Sequence, residues 1–229
     1  VSRLLASTDG PKLIARTSTS GIVVSKEGPL PGAANWTHQY GNVANTVKSD
    51  DNLVKLPLGV LWFGGVSNVD VLPRHGHGPP EQIVDGRLII EGVDTLSARD
   101  VYTGRMLWKS PLDKSSTFKQ YYDETHQFLP LKAIGNQQHI PGANARGTNF
   151  VATSDWVYVL QGNRCKALDI ETGETKKTFS LPAEDGAEPA QLGYIGVSGD
   201  RLIVGRDFVP FVTAFPETAI VPSKPAGPD

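Results

Sequence analysis

The most informative part of the chain is Ala98-Arg-Asp-Val-Tyr-Thr-Gly-Arg-Met-Leu-Trp108, because its first half is repeated as Ala167-Leu-Asp-Ile-Glu-Thr-Gly173. Asp, Thr and Gly at these spacings are typical of a tight turn in which the carboxylate accepts backbone hydrogens and the glycine takes a positive φ. Thr103 and Thr172, the threonines of the two turns, lie 69 positions apart. The chain therefore carries an internal repeat.

Short β-rich runs precede both copies of the turn. Apolar residues alternate in Gly86-Arg-Leu-Ile-Ile-Glu91 and in Asp155-Trp-Val-Tyr-Val-Leu160, and residues 193–205 repeat the pattern around a Gly-Asp turn. No stretch keeps a helical period for three turns. The sequence predicts an all-β fold, a β-propeller of four-stranded antiparallel blades. About three blades are visible, so the propeller is incomplete in this chain.

The repeat divides the chain into five parts. Residues 1–34 are predicted to end a preceding blade, 35–120 to hold the first recognisable blade with its connection, 121–185 the second blade with an insertion, 186–215 the start of a third blade, and 216–229 a proline-rich tail. The 69-residue offset exceeds the roughly 40 to 50 residues of a simple blade. A propeller closes with roughly four to eight blades, so the others are expected from a larger protein or from partner chains.

Charge and composition argue against two classes of function. The net charge is −2, with acidic and basic residues dispersed, so there is no basic face for nucleic acid. No run of about 18 apolar residues predicts a membrane span. Cys165 is the only cysteine, which leaves no intrachain disulfide and no cysteine zinc cluster, and its apolar neighbours predict a buried thiol.

The run that ends at Trp108 resembles the Ala-x-Asp-x-x-Thr-Gly-x-x-x-Trp motif of the pyrroloquinoline-quinone-like (PQQ-like) repeat of quinoproteins. The residues of this structural blade motif are Asp100, Thr103, Gly104, Trp108, Asp169, Thr172 and Gly173. Trp108 is expected to pack between neighbouring blades, and the second copy has Lys177 in its place. Trp36, Trp62 and Trp156 are also expected to be blade-packing residues.

Three further runs are similar to large planctomycete-type secreted propeller proteins. They are Asn35-Trp-Thr-His-Gln-Tyr-Gly-Asn42, Gly59-Val-Leu-Trp-Phe-Gly-Gly65 and Pro73-Arg-His-Gly-His-Gly-Pro-Pro80. This resemblance implies a periplasmic or extracellular protein whose signal peptide is not in this chain.

The loops that lead into the innermost strands carry the candidate ligand-binding residues. These are Arg74, His75, His77, His139, Asn144 and Arg146. If residues 81–84 and 147–152 open such strands, the two groups approach each other on one face. His75 and His77 could bind one divalent metal or an anion, or could hydrogen-bond loop carbonyls. Arg146 could hold a carboxylate in a bidentate manner, or form a salt bridge to an adjacent blade.

Two functions from different classes follow. The first is a non-catalytic, extracytoplasmic platform for binding or assembly, whose partners are other blades or subunits of a larger assembly. The second is a quinone- or metal-dependent oxidoreductase, with PQQ or a divalent metal, whose site is completed by blades outside this chain. Quinoprotein alcohol dehydrogenases carry such blades, but their adjacent cysteine pair cannot form with Cys165 alone. No catalytic residue is identified, and the sequence favours the platform.

Overall fold

The computed structural model describes residues 13–26, 28–65, 70–71, 80–92, 94–113, 148–183, 186–187 and 189–206. In these ranges the secondary-structure elements are strands, with no α-helix. The strands are β1 (Leu13–Ser18), β2 (Gly21–Lys26), β3 (Gln82–Val84), β4 (Arg87–Gly92), β5 (Thr95–Asp100), β6 (Met106–Pro111), β7 (Phe150–Ala152), β8 (Trp156–Gln161), β9 (Arg164–Asp169), β10 (Thr175–Ser180), β11 (Leu192–Ser198) and β12 (Arg201–Arg206).

The strands form two complete blades and two smaller sheets, and every pairing is antiparallel. The first blade is β3-β4-β5-β6 and the second blade is β7-β8-β9-β10, so each strand pairs with its neighbour in sequence. The third sheet is β11-β12, and β1-β2 form a separate hairpin. This confirms the prediction of an all-β fold built from four-stranded antiparallel propeller blades.

Turn chemistry explains where the strands of each blade reverse. Asp85 and Gly86 both have positive φ, 48° and 76°, and link the paired residues Val84 and Arg87 in a tight two-residue hairpin of the type that asparagine or aspartate with glycine favours.

The two repeat turns have matching geometry. Asp100 Oδ1 accepts hydrogen bonds from the backbone N–H groups of Tyr102 and Thr103, at 3.0 and 2.9 Å, and Gly104 has φ of 71°. Asp169 Oδ1 accepts from Glu171 and Thr172 at 3.0 and 2.9 Å, and the φ of Gly173 is again 71°. The repeated motif therefore ends β5 and β9 in the same way.

The sheets pack face to face and bury both sides of the central strands. One apolar cluster joins the first blade to the second, with members that include Ile89, Leu96, Trp108, Phe150 and Leu168. A second cluster joins the second blade to the third sheet, with Val151, Leu160, Cys165, Leu192 and Ile195. Because β4 and β8 are covered on both faces, they read as nearly continuous apolar runs. The first strands of the two blades and of the third sheet are neighbours: β3 contacts β7, and β7 contacts β11.

A tryptophan from one sheet packs on the repeat turn of the next. The indole N–H of Trp108 donates to the carbonyl of Ile170 at 2.8 Å, and its ring covers Gly173 so closely that a Cβ there would lie 2.5 Å from Cε3. Trp62 covers Gly104 in the same way and donates to the carbonyl of Val101 at 2.9 Å. The two contacts are equivalent, one blade apart, which places the segment around Trp62 where an outermost strand of a preceding blade would lie.

Candidate functional site

The six predicted ligand-binding residues lie outside the described residues. They are Arg74, His75, His77, His139, Asn144 and Arg146. The strands that follow them are described: β3 begins at Gln82 and β7 at Phe150, and the two strands are in contact. The candidate site is therefore the region where the innermost strands β3 and β7 begin.

Gln82 joins the innermost strands of the first and second blades. Its side chain is fully buried, its Nε2 donates to the carbonyl of Phe150 at 2.7 Å, and its Oε1 accepts from the N–H of Ala152 at 2.7 Å. The side-chain amide thus pairs with β7 as a backbone peptide group would in a neighbouring strand. β7 is the edge strand of its blade, and the Gln82 amide bonds its backbone together with Thr37, whose carbonyl accepts from Ala152, and Thr148, whose hydroxyl donates to Phe150.

Residues 35–41, here named the crossing segment, run across the innermost strands of three sheets. Trp36 exchanges two backbone hydrogen bonds with Ile83 of β3, at 2.7 and 2.9 Å. Gln39 Oε1 accepts from the N–H of Thr148, just before β7, at 3.2 Å. His38 Nε2 accepts from the N–H of Val197 of β11 at 3.0 Å. The crossing segment therefore ties the two blades and the third sheet together at their innermost strands.

The contacts of His38 fix its neutral tautomer. Because Nε2 accepts from Val197, the ring proton is on Nδ1, which lies 2.8 Å from Thr37 Oγ1. The side chain is only 8% exposed, and this desolvation lowers the pKa of His38 below its ordinary value. A charged ring has no acceptor nitrogen, so protonation also removes the bond to the third sheet.

Acidification is expected to destabilise the protein through His38. Because the folded pKa is lowered, the unfolded chain binds the proton first, so this contribution is complete above about pH 6.5 and is lost as the pH falls towards the folded pKa. Urea unfolding at pH 7 and pH 5 checks this, with His38→Gln as the control that keeps an acceptor and does not titrate. If the wild-type free energy of unfolding falls between pH 7 and pH 5 by no more than that of His38→Gln, His38 is not the group responsible.

Further buried polar groups surround the starts of the strands. Glu91 is 3% exposed and its Oε1 accepts from Asn149 Nδ2 at 3.1 Å, which links β4 of the first blade to the residue before β7. Gln161 is 5% exposed, and neither atom of its amide has a hydrogen-bond partner among the residues that the structure describes. The Glu91–Asn149 pair therefore supplies a hydrogen bond that positions strands of the two blades. Within the described ranges, no three His, Cys, Asp or Glu side chains are grouped to hold a metal ion.

Arg99 is a buried cation on the other face of the first blade. It is 1% exposed, and none of its three side-chain nitrogens makes a hydrogen bond to any of the described residues. Burial lowers the pKa of its guanidinium, and the nearby charge of Asp70 opposes this shift. Asp70 itself forms an ion pair with Lys109. Among the described side chains, Arg99 has the largest number of buried hydrogen-bond donors without a partner, and such donors can bind an anion.

Cys165 is buried, as its apolar neighbours predict. Desolvation raises the pKa of its thiol to about 12, so the group is protonated at neutral pH. A protonated, buried thiol is not a nucleophile. Cys165 is part of the core between the second blade and the third sheet.

A run of exposed apolar side chains lies next to the blade contact of Trp62. Leu56, Val60 and Phe63 are 87%, 81% and 91% exposed, and Leu58 and Leu61 are 69% and 68% exposed. We name these five side chains the apolar strip. Such a concentration of exposed apolar surface is typical of an interaction site. In the described part of the chain, no helix has the length and hydropathy needed to cross a membrane.

Gln82, His38 and Asn149 carry no signal in the sequence, because each is a single polar residue without a motif around it. The Trp62 contact could have been found, since Leu61-Trp62 repeats the Leu107-Trp108 pair of the blade motif. Trp156 differs from these tryptophans, because Lys177 Nζ lies 5.2 Å from the centre of its ring. Lys177, at the position equivalent to Trp108, thus contacts its own blade.

No protein-family model and no curated protein matches the chain. Similar solved structures include BamB from Moraxella catarrhalis, with 18% identity over 42% of this chain and 21% of that chain, at a TM-score of 0.27. A quinohemoprotein alcohol dehydrogenase from Comamonas testosteroni has 18% identity over 64% and 19%, at a TM-score of 0.42. A europium-containing methanol dehydrogenase has 13% identity over 76% and 28%, at a TM-score of 0.44. The chain spans less than a third of the length of each.

Proposed function

We propose that this chain is a non-catalytic, extracytoplasmic propeller module of the PQQ-like, planctomycete secreted type that serves as a platform for binding and assembly. The observation that carries the proposal is the apolar strip, whose five side chains are 68% to 91% exposed. Burying one large apolar side chain contributes about 1.5 to 3 kcal/mol, so the strip can supply much of the free energy of a stable contact.

The position of the strip indicates the kind of partner. Trp62 packs on Gly104 as Trp108 packs on Gly173, and in the first blade the strand that holds Trp108 is paired with β5. An equivalent strand beside the apolar strip would cover it and extend the sheet. The partner that fits is therefore another propeller blade, from a larger protein or from a second subunit.

The buried polar groups support a structural role for the inner ends of the blades. The hydrogen-bonding groups of Gln82 and His38 are engaged with backbone groups of other sheets, and Glu91 is bonded to Asn149. Groups held in this way align strands. The predicted ligand residues of the two loops, including His75 and Arg146, lie outside the described residues, and we propose that they serve binding.

Replacing Phe63 with aspartate is expected to weaken assembly at least tenfold, because a charge cannot enter an apolar contact and the 91% exposed ring has little role inside the fold. Native mass spectrometry of the chain, isolated from producing cells without denaturation, gives the mass of the assembly. Asn52→Asp adds the same charge to the same connection and should leave that mass unchanged. A wild-type particle of 24.6 kDa alone would contradict the proposal.

Absorbance spectra separate the platform from the oxidoreductase. The platform predicts no stoichiometric quinone band and no dye reduction by the isolated assembly. A quinone band at one equivalent per chain, together with dye reduction that is lost on chelation of divalent metal, would establish the oxidoreductase instead.

A further inference from the structure

Arg99 occupies a position at which the second blade has a leucine. β5 and β9 run into their repeat turns as Ala98-Arg-Asp100 and Ala167-Leu-Asp169, so Arg99 and Leu168 are equivalent. Leu168 is buried in the apolar core between its own blade and the first blade, which precedes it. Because Ala98 lies in that same core and side chains alternate along a strand, Arg99 faces the opposite side of the first blade. This is the side on which a preceding blade would pack.

The acidic side chain near Arg99 is already bonded to another cation. Lys109 pairs with Ser97 and therefore lies on the same side of the blade as Arg99. Asp70 forms an ion pair with Lys109 and acts on Arg99 through its nearby charge, without a hydrogen bond. One carboxylate thus lies beside two cations and is bonded to only one of them. Because Arg99 is 1% exposed, its guanidinium has neither water nor a bonded carboxylate to offset the cost of burying its charge.

The interface between the first and second blades shows how a cation on this side of a blade is paired. Lys166 lies on β9 two residues before Leu168, so its side chain is on the side that faces the first blade. Its Nζ lies 3.2 Å from Oδ2 of Asp113, which follows β6 of the first blade. A cation on the third strand of one blade is thus paired with a carboxylate from the blade before it. Arg99 is on the third strand of the first blade, so the corresponding carboxylate would come from a blade that precedes the first.

We propose that the blade that packs on this side, supplied by a partner subunit, carries an aspartate or glutamate whose carboxylate binds the guanidinium of Arg99. The inference rests on the proposed function, in which a further blade covers the apolar strip, and it adds the chemistry by which that blade is recognised. Because Arg99 is buried, its acceptor belongs to the packed interface and not to the solvent. The matching positions in the partner blade are those equivalent to Leu96 and Ala98, since these two residues share a core with Leu168. A planar guanidinium and a carboxylate pair through two parallel hydrogen bonds, which fixes the orientation of the partner.

Arg99→Met tests the pairing, because methionine is long and flexible and carries no charge. In the chain diluted to a monomer, the urea unfolding midpoint should equal or exceed that of wild type, since the charge has no bonded partner among the described residues. In the assembly, native mass spectrometry over a dilution series should show dissociation at a concentration about tenfold or more above that of wild type. Arg164→Met makes the same change at an exposed position of β9 and should leave both quantities unchanged.

The possible outcomes separate this inference from the proposed function. A wild-type chain found solely as a 24.6 kDa monomer would overturn both. An assembly that is weakened by Phe63→Asp but dissociates unchanged with Arg99→Met would overturn the acidic partner alone. Monomeric Arg99→Met that has a lower unfolding midpoint than wild type, or that does not fold, would also overturn the inference, because Arg99 would then be paired within its own chain.

Discussion

Replacing Trp108 with alanine is expected to lower the free energy of unfolding by about 3 to 5 kcal/mol. The indole is 7% exposed and lies in the core shared by the first and second blades. Its removal opens a cavity at the interface and leaves the carbonyl of Ile170 without the indole N–H. Chemical denaturation followed by far-ultraviolet circular dichroism measures the change, since that signal does not depend on tryptophan fluorescence.

The glycine beneath the ring gives the complementary experiment. Gly173→Ala is expected to be strongly destabilising because the new Cβ would lie 2.5 Å from Trp108 Cε3 and because Gly173 has φ of 71°. Gly199→Ala separates these causes: Gly199 has φ of 60° but no heavy atom within 4 Å of the added Cβ, so it reports backbone strain alone, about 1 to 2 kcal/mol.

The double variant should be less destabilised than the sum of the two single variants, because removing the indole makes room for the Cβ of alanine. Additive effects, or a Gly173→Ala cost equal to that of Gly199→Ala, would show that the ring does not rest on the turn. The same cycle on Trp62 and Gly104, where the distance is 2.4 Å, should give the same sign.

Gln82→Glu is expected to destabilise the protein by several kcal/mol at pH 7, because it places a carboxylate in a fully buried site. The substituted side chain cannot donate to the carbonyl of Phe150 and instead repels it. When protonated, however, it regains a donor and still accepts from the N–H of Ala152. Its pKa should be raised in the folded state, so the variant's deficit relative to wild type should shrink as the pH falls from 7 to 4.

A second buried glutamine provides the matched control. Gln161 is 5% exposed, and its amide makes no hydrogen bond within the described part of the chain. Gln161→Leu should therefore be neutral or stabilising, whereas Gln82→Leu should cost about 2 to 3 kcal/mol through its two lost hydrogen bonds. Urea unfolding curves for both leucine variants test this difference. Equal costs would mean that the Gln82 bridge contributes nothing beyond its buried volume.

Much of the blade architecture is predictable from the chain because its causes are local. The turn that begins at Asp100 closes through contacts to residues two and three positions away, and Asp169 repeats them. The nearly continuous apolar runs of β4 and β8 likewise indicate that both faces of these strands are buried. For the candidate site, the predicted ligand residues, including His75 and Arg146, lie outside the described residues and remain a prediction.

The all-β class, the four-stranded blade and the position of its turns are predictable from the chain, because turn chemistry and the apolar pattern of the strands act within a few residues. Three contacts are set instead by the packing of the sheets: Gln82 pairs with β7, His38 bonds the third sheet, and Trp62 packs on Gly104. The hydrogen bonds of Gln82 and His38 join groups 68 to 159 positions apart. A lone polar side chain that reaches a distant backbone leaves no periodic pattern, so its partner exists only once the sheets have packed.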